Sequence, residues 1–210
     1  MWIATLTLLA ILSASLHIRA EYHGPRYHVY LFKPLTMAFI LLIAVQAGWP
    51  DVSRYKVAIL AGLLFSLAGD VFLMLPSDRF IPGLVSFLVA HLFYIAAFTS
   101  GAGFGFSWRL LPCVLYGIAI FSILAPHLGK MKLPVLVYMV VILAMAWQAW
   151  ERWHQAGQSA ALLAFLGAVL FVVSDSALAV NRFRGQYASA RALTLSTYFA
   201  AQWLIARSVE

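Results

Sequence analysis

Eight apolar runs, most of them close to twenty residues long and parted by short polar, Pro or Gly breaks, confine this chain to one class of fold. In hydrocarbon the backbone N–H and C=O groups find no water, so each run must satisfy them internally as a helix. About 20 residues at a 1.5 Å rise cross the ~30 Å apolar core of a bilayer. The runs lie near residues 1–18, 30–48, 56–75, 82–100, 108–126, 133–150, 160–180 and 191–208. Gly101, Gly103 and Gly105 make the turn at 101–107, the weakest of the separations between them. Eight helices of this length take about 160 residues, which leaves no room among 210 for a separate soluble domain. Only 10% of the residues are charged and 64% are hydrophobic, against about 25% charged in soluble domains. The expected fold is therefore all-α: a polytopic integral membrane protein of eight transmembrane helices, one domain over 1–210. The first run ends near Ser13 and Ser15, small residues of the kind found at cleavage sites, but no basic stretch precedes it. It reads as an uncleaved span.

Basic residues give the topology. With the N-terminus on side A, alternate connections place Arg54, Lys56, Arg109, Arg152 and Arg207 there. Side B receives Arg19, Arg26, Lys33, Arg79, Lys130, Lys132, Arg182, Arg184 and Arg191. The excess on side B makes it cytoplasmic and puts both termini outside, in what reads as a bacterial inner membrane. Tryptophan divides more sharply: Trp2, Trp49, Trp108, Trp147, Trp150, Trp153 and Trp203 all fall on or near side A. The net charge of +7 then reflects this bias and attraction to anionic headgroups, and a nucleic-acid partner is not expected. Cys113 is the only cysteine, so no intrachain disulfide forms.

A faint internal repeat is also visible. Asp70 and Asp175 are 105 residues apart, Tyr94 and Tyr198 are 104 apart, and Lys33-Pro34 and Leu133-Pro134 are 100 apart. Four spans per half would make this a parallel repeat, a plan known from transporters.

Two aspartates stand inside apolar runs. An ionisable group there costs roughly 2.5–3.5 kcal/mol on insertion scales and tends to mark function. At 1.5 Å per residue, Asp70 and Asp175 each lie about 7 Å from the side B end of their runs, Tyr198 about 10 Å and His91 about 13 Å. Lys33 stands at the side B mouth of the second run. These groups come from separate helices at similar depth, which suits one polar pocket opening to side B. Gly62, Ser66 and Asp70 share a helical face, as do His91 and Tyr94, and Thr194, Tyr198 and Gln202. Asp51, Asp78, Glu21 and Glu151 read as solvated loop residues. His17, His23 and His28 read as interfacial side chains flanking the first connection.

Several chemistries lack their motifs. There is no G-x-S-x-G, no P-loop and no H-E-x-x-H. Nothing in the spacing demands a metal, and no cofactor is expected. What remains is a carboxyl pair with a histidine and tyrosines in a semi-apolar setting. That equipment suits acid catalysis through an oxocarbenium-like state. Paired membrane carboxylates in a repeated fold would serve a proton-coupled carrier of small molecules or lipids equally well. A non-catalytic lipid-binding scaffold is the third reading.

Five short segments resemble the YhhN-like lysoplasmalogenase family, polytopic membrane proteins of bacteria and animals. They are Phe32-Lys33-Pro34-Leu35, Leu67-Ala68-Gly69-Asp70, Ala90-His91-Leu92-Phe93-Tyr94, Ser174-Asp175 and Tyr198-Phe199-Ala200-Ala201-Gln202. The resemblance implies hydrolysis of the vinyl ether bond of a lysophospholipid to a fatty aldehyde and a glycerophospho-headgroup. On that reading Asp70, Asp175 and His91 are the catalytic candidates, Tyr94, Tyr198 and Gln202 order the network, and Lys33, Arg19 and Arg182 hold the phosphate. The partners are the lysolipid and the bilayer.

Overall fold

The computed structural model describes residues 2–48, 53–101 and 103–209. Trp49 and Asp51 lie outside these. Eight α-helices follow one another, with no strand among the described residues: α1 Trp2–His23, α2 Arg26–Gln46, α3 Arg54–Met74, α4 Phe80–Thr99, α5 Leu110–Leu124, α6 Lys132–Ala156, α7 Ser159–Ala179 and α8 Ala190–Arg207. Two 3₁₀ turns lie between α5 and α6, and a π turn, Val180–Arg184, extends α7.

Local chemistry sets the ends. Ser53 caps α3 by accepting the Lys56 N–H at 3.1 Å. Gly157, at φ +63°, closes α6 in the left-handed conformation that a side chain disfavours. Two helices outrun their apolar cores. α1 continues through Glu21 to His23, and α6 continues through Glu151 and Arg152 to Ala156.

Seven helical stretches are long and apolar enough to cross a membrane by length and composition. α8 is not among them. Arg191 and Arg207 at its ends, with Gln202 between them, lower its hydropathy, yet it runs antiparallel along α7, where Ser174 Oγ donates to the Thr194 carbonyl at 2.9 Å. Tyr198 and Gln202 are buried against protein, so the helix keeps the path of a span while losing its hydropathy.

α1 with α2, α3 with α4, and α7 with α8 form close hairpins, and α5 is held mainly by α6. Two glycines permit close approaches between paired helices. A Cβ on Gly62 of α3 would sit 2.2 Å from Tyr94 Cε1 of α4, and one on Gly167 of α7 would sit 2.9 Å from the Ala201 carbonyl of α8. These glycines are 105 residues apart, as are the two aspartates. The pairing pattern follows the same period. α2–α3 and α3–α4 contacts in one half recur as α6–α7 and α7–α8 in the other, and the α2–α8 contact between halves recurs as α6–α4.

Candidate active site

Helix ends, not loops, build the candidate site. Asp70 lies one turn before the end of α3 and Asp175 one turn before the end of α7. Both line one cavity of about 450 Å³, within the ~300–1,000 Å³ of small-molecule sites. The cavity opens at side B, where Glu21, Asn181, Arg182 and Arg191 stand at its mouth. Its other wall is apolar, made by Ile120 and Leu124 of α5 and Val135, Met139, Ile142 and Leu143 of α6.

The two carboxyls are held differently. Asp70 is 1% exposed. Its Oδ1 lies 3.0 Å from Lys33 Nζ, and its Oδ2 accepts the Tyr198 hydroxyl at 2.6 Å. Asp175 is half-buried and faces the cavity. Its Oδ2 accepts the Tyr138 hydroxyl. Among the described residues no cation pairs with it, and Oδ1 has no hydrogen-bond partner.

Behind this layer lies a second one. Tyr94 donates to Gln202 Oε1 at 2.7 Å and sits 3.4 Å from Ser66 Oγ. His91 is fully buried, its ring 5.3 Å from that of Tyr138 and 4.7 Å from that of Phe171. Neither of its nitrogens has a hydrogen-bond partner.

Of the residues singled out above, the structure therefore brings Lys33, Asp70, Asp175, Tyr198 and Arg182 to one cavity. His91, Tyr94 and Gln202 back it without lining it. Arg19 is exposed on α1, away from the cavity. Lys33 points inward to Asp70 and not to the surface, its side chain 11% exposed. Arg182 stacks on Phe80 at 4.0 Å and makes two hydrogen bonds to Asp78, at 3.2 and 2.9 Å. Those bonds, with the Phe80 N–H, hold the exposed Asp78 carboxyl below the ordinary carboxylate range.

Sequence reasoning missed Tyr138, Glu21 and Arg191. Tyr138 stands 105 residues after Lys33, in the register of the aspartates; matching the two Pro residues at a spacing of 100 conceals it. Two expectations need correction. Glu151 is not solvated: it is 4% exposed on α6, 3.2 Å from Arg109 Nη1, and accepts from Ser107 and from Trp147 Nε1. This cluster pins the α4–α5 connection, helped by Gln148, which bonds both N–H and C=O of Gly105 at 3.0 Å. His17 is not interfacial either; it is fully buried, with its ring edge-on to Phe199. No metal-holding group of His, Cys, Asp and Glu occurs among the described residues.

The chain is similar to known proteins along most of its length. Residues 28–209 match the model of the YhhN family. An Escherichia coli O6:H1 protein, "Uncharacterized membrane protein YhhN", is 35% identical over 199 residues, covering 94% of this chain and 95% of the relative. "Lysoplasmalogenase TMEM86A" of Bos taurus is 34% identical over 180 residues, covering 83% of this chain and 74% of the relative. "Lysoplasmalogenase TMEM86B" of Homo sapiens is 34% identical over 175 residues, covering 81% and 68%. No solved structure matches. With a family match over most of its residues and a relative alike from end to end, the chain belongs to the YhhN family.

Proposed function

We propose that this protein is a lysoplasmalogenase, hydrolysing the vinyl ether of an alkenyl lysophospholipid to a fatty aldehyde and a glycerophospho-headgroup. One observation carries the reading: two carboxyls from different helices face one cavity that is apolar on one wall and polar at its mouth. The relatives named as lysoplasmalogenases support it.

The chemistry needs little else. A carboxyl O–H gives its proton to the β-carbon of the vinyl ether. The C=C electron pair takes that proton, and an ether-oxygen lone pair closes the oxocarbenium ion. Water adds to the cationic carbon and returns a proton to the carboxylate just formed. The hemiacetal then loses its hydroxyl proton as the glyceryl oxygen gains one, and aldehyde and headgroup part. Negative charge close to the cation lowers the barrier. The alkenyl chain lies along the α5–α6 wall, and the phosphate meets Arg182 and Arg191 at the mouth. His91, Tyr94 and Gln202 support the layer behind.

The test is a panel of lysolipids given to the purified protein, with both products followed by mass spectrometry. Wild type should release aldehyde and headgroup in equal amounts. Asp70→Asn and Asp175→Asn should each abolish release while eluting as folded protein. Wild-type turnover in either variant would overturn the reading. Substrate flux in proteoliposomes without product would favour the proton-coupled carrier.

A further inference from the structure

Lys33 and Tyr138 hold the same place in the two halves of the fold. Lys33 is on α2 and reaches Asp70 on α3; Tyr138 is on α6 and reaches Asp175 on α7. Both pairs are offset by 105 residues, the spacing that also relates Gly62 to Gly167. The helices involved pack in corresponding pairs. A symmetric scaffold thus presents two carboxyls with unlike partners: a cation for one, a neutral hydroxyl for the other.

The second tyrosine breaks the symmetry again. Tyr198 of α8 donates to Asp70 at 2.6 Å, whereas Tyr94 of α4, 104 residues earlier and one residue out of that register, donates to Gln202. Asp70 therefore has both oxygens engaged and is 1% exposed. Asp175 keeps Oδ1 without a partner and open to the cavity.

We propose that this single difference, Lys33 in one half and Tyr138 in the other, assigns the roles: Asp70 is the fixed anion, Asp175 the proton donor, and Tyr138 its positioning residue. Charge balance supports the assignment. The Lys33–Asp70 pair is neutral as a unit, so the empty site is uncharged when Asp175 carries its proton. A second bare carboxylate in this low-dielectric cavity would have no cation to meet it. The Tyr138 hydroxyl occupies Oδ2, which fixes the plane of the carboxyl and leaves Oδ1–H aimed into the cavity. When that proton passes to the β-carbon, the Asp175 carboxylate becomes the counter-ion of the oxocarbenium it has made. The site stays neutral overall at each step. The chemical step rests on the lysoplasmalogenase reading; the assignment of charge does not.

Infrared spectroscopy of the purified protein at neutral pH tests this without substrate. Wild type should display a protonated carboxyl C=O band. The band should be lost in Asp175→Asn. In Tyr138→Phe, which keeps the ring and its packing, it should move to higher frequency, because the C=O no longer accepts a hydrogen bond. No such band in wild type, its survival in Asp175→Asn, or an unmoved band in Tyr138→Phe would overturn the assignment. In turnover, Tyr138→Phe should lower kcat roughly tenfold or more, part of the 10²–10⁴ supplied by a positioned acid, with KM unchanged. A raised KM at wild-type kcat would make Tyr138 a binding residue and overturn its role. Should wild type release no aldehyde, the function falls while the infrared result still decides the charge assignment.

Discussion

At the scale of single residues, the site is governed by the cost of burying charge. Lys33 and Asp70 are both nearly inaccessible, at 11% and 2% side-chain exposure, and lie 3.0 Å apart. Such a pair gains little over an apolar substitute, but removing one member strands the other. Lys33→Met should therefore destabilise the protein by about 3–5 kcal/mol. Adding Asp70→Asn to that variant should recover most of the loss, while aldehyde release stays abolished. Unfolding in detergent, followed by circular dichroism, measures both; a double variant no more stable than Lys33→Met would show that no charge was stranded. The same cost made the two aspartates legible in the sequence, since a carboxyl in an apolar run demands a reason. It could not reveal Tyr138, because a tyrosine in a membrane span is ordinary and costs little. It misled at Glu151, which follows Trp150 near the end of a run and reads as loop. The helix continues past it, and Arg109 comes over from the α4–α5 connection to neutralise it.

At the scale of elements, small residues decide which helices touch. Gly62, Ser66 and Asp70 are legible in the sequence as one helical face, and Gly62 and Ser66 do meet Tyr94 of α4. One turn on, Asp70 leaves that contact for Lys33 of α2 and Tyr198 of α8. A period of four residues cannot separate the two uses, because it gives the face of a helix and not the neighbours arranged around it. Gly62→Ala places a methyl 2.2 Å from Tyr94 Cε1, inside van der Waals contact. It should destabilise by about 1–3 kcal/mol, the usual cost of overpacking. In a Tyr94→Leu background, where the ring is gone, the added cost should fall below that measured in wild type. Equal penalties in both backgrounds would mean that the ring is not what the methyl meets. α8 illustrates the opposite limit of sequence reading. The sequence reads 191–208 as a span, but its hydropathy falls short of one, and its antiparallel run along α7 is what supports that path.

At the scale of the whole molecule, the parallel pairing pattern explains why two carboxyls 105 residues apart reach one cavity. A parallel repeat brings equivalent residues to the same depth on the same side, whereas an inverted repeat would have sent them to opposite leaflets. The cavity lies toward the end where α1 meets α2, α3 meets α4 and α7 meets α8. That end carries the excess of basic residues, and from the positive-inside rule we propose that the mouth faces the cytoplasm. Substrate would then be drawn from the cytoplasmic leaflet, with the headgroup released to the cytosol and the aldehyde left in the bilayer. Single cysteines in a Cys113→Ala background test the orientation. Ser77→Cys marks the α3–α4 connection beside the mouth, and Gln158→Cys marks the opposite end between α6 and α7; both positions are exposed. In intact spheroplasts a membrane-impermeant maleimide should label Gln158→Cys and spare Ser77→Cys, and permeabilisation should expose both. Ser77→Cys labelled in intact spheroplasts, with Gln158→Cys spared, would turn the mouth outward. The substrate would then come from the outer leaflet, whatever the chemistry inside the cavity.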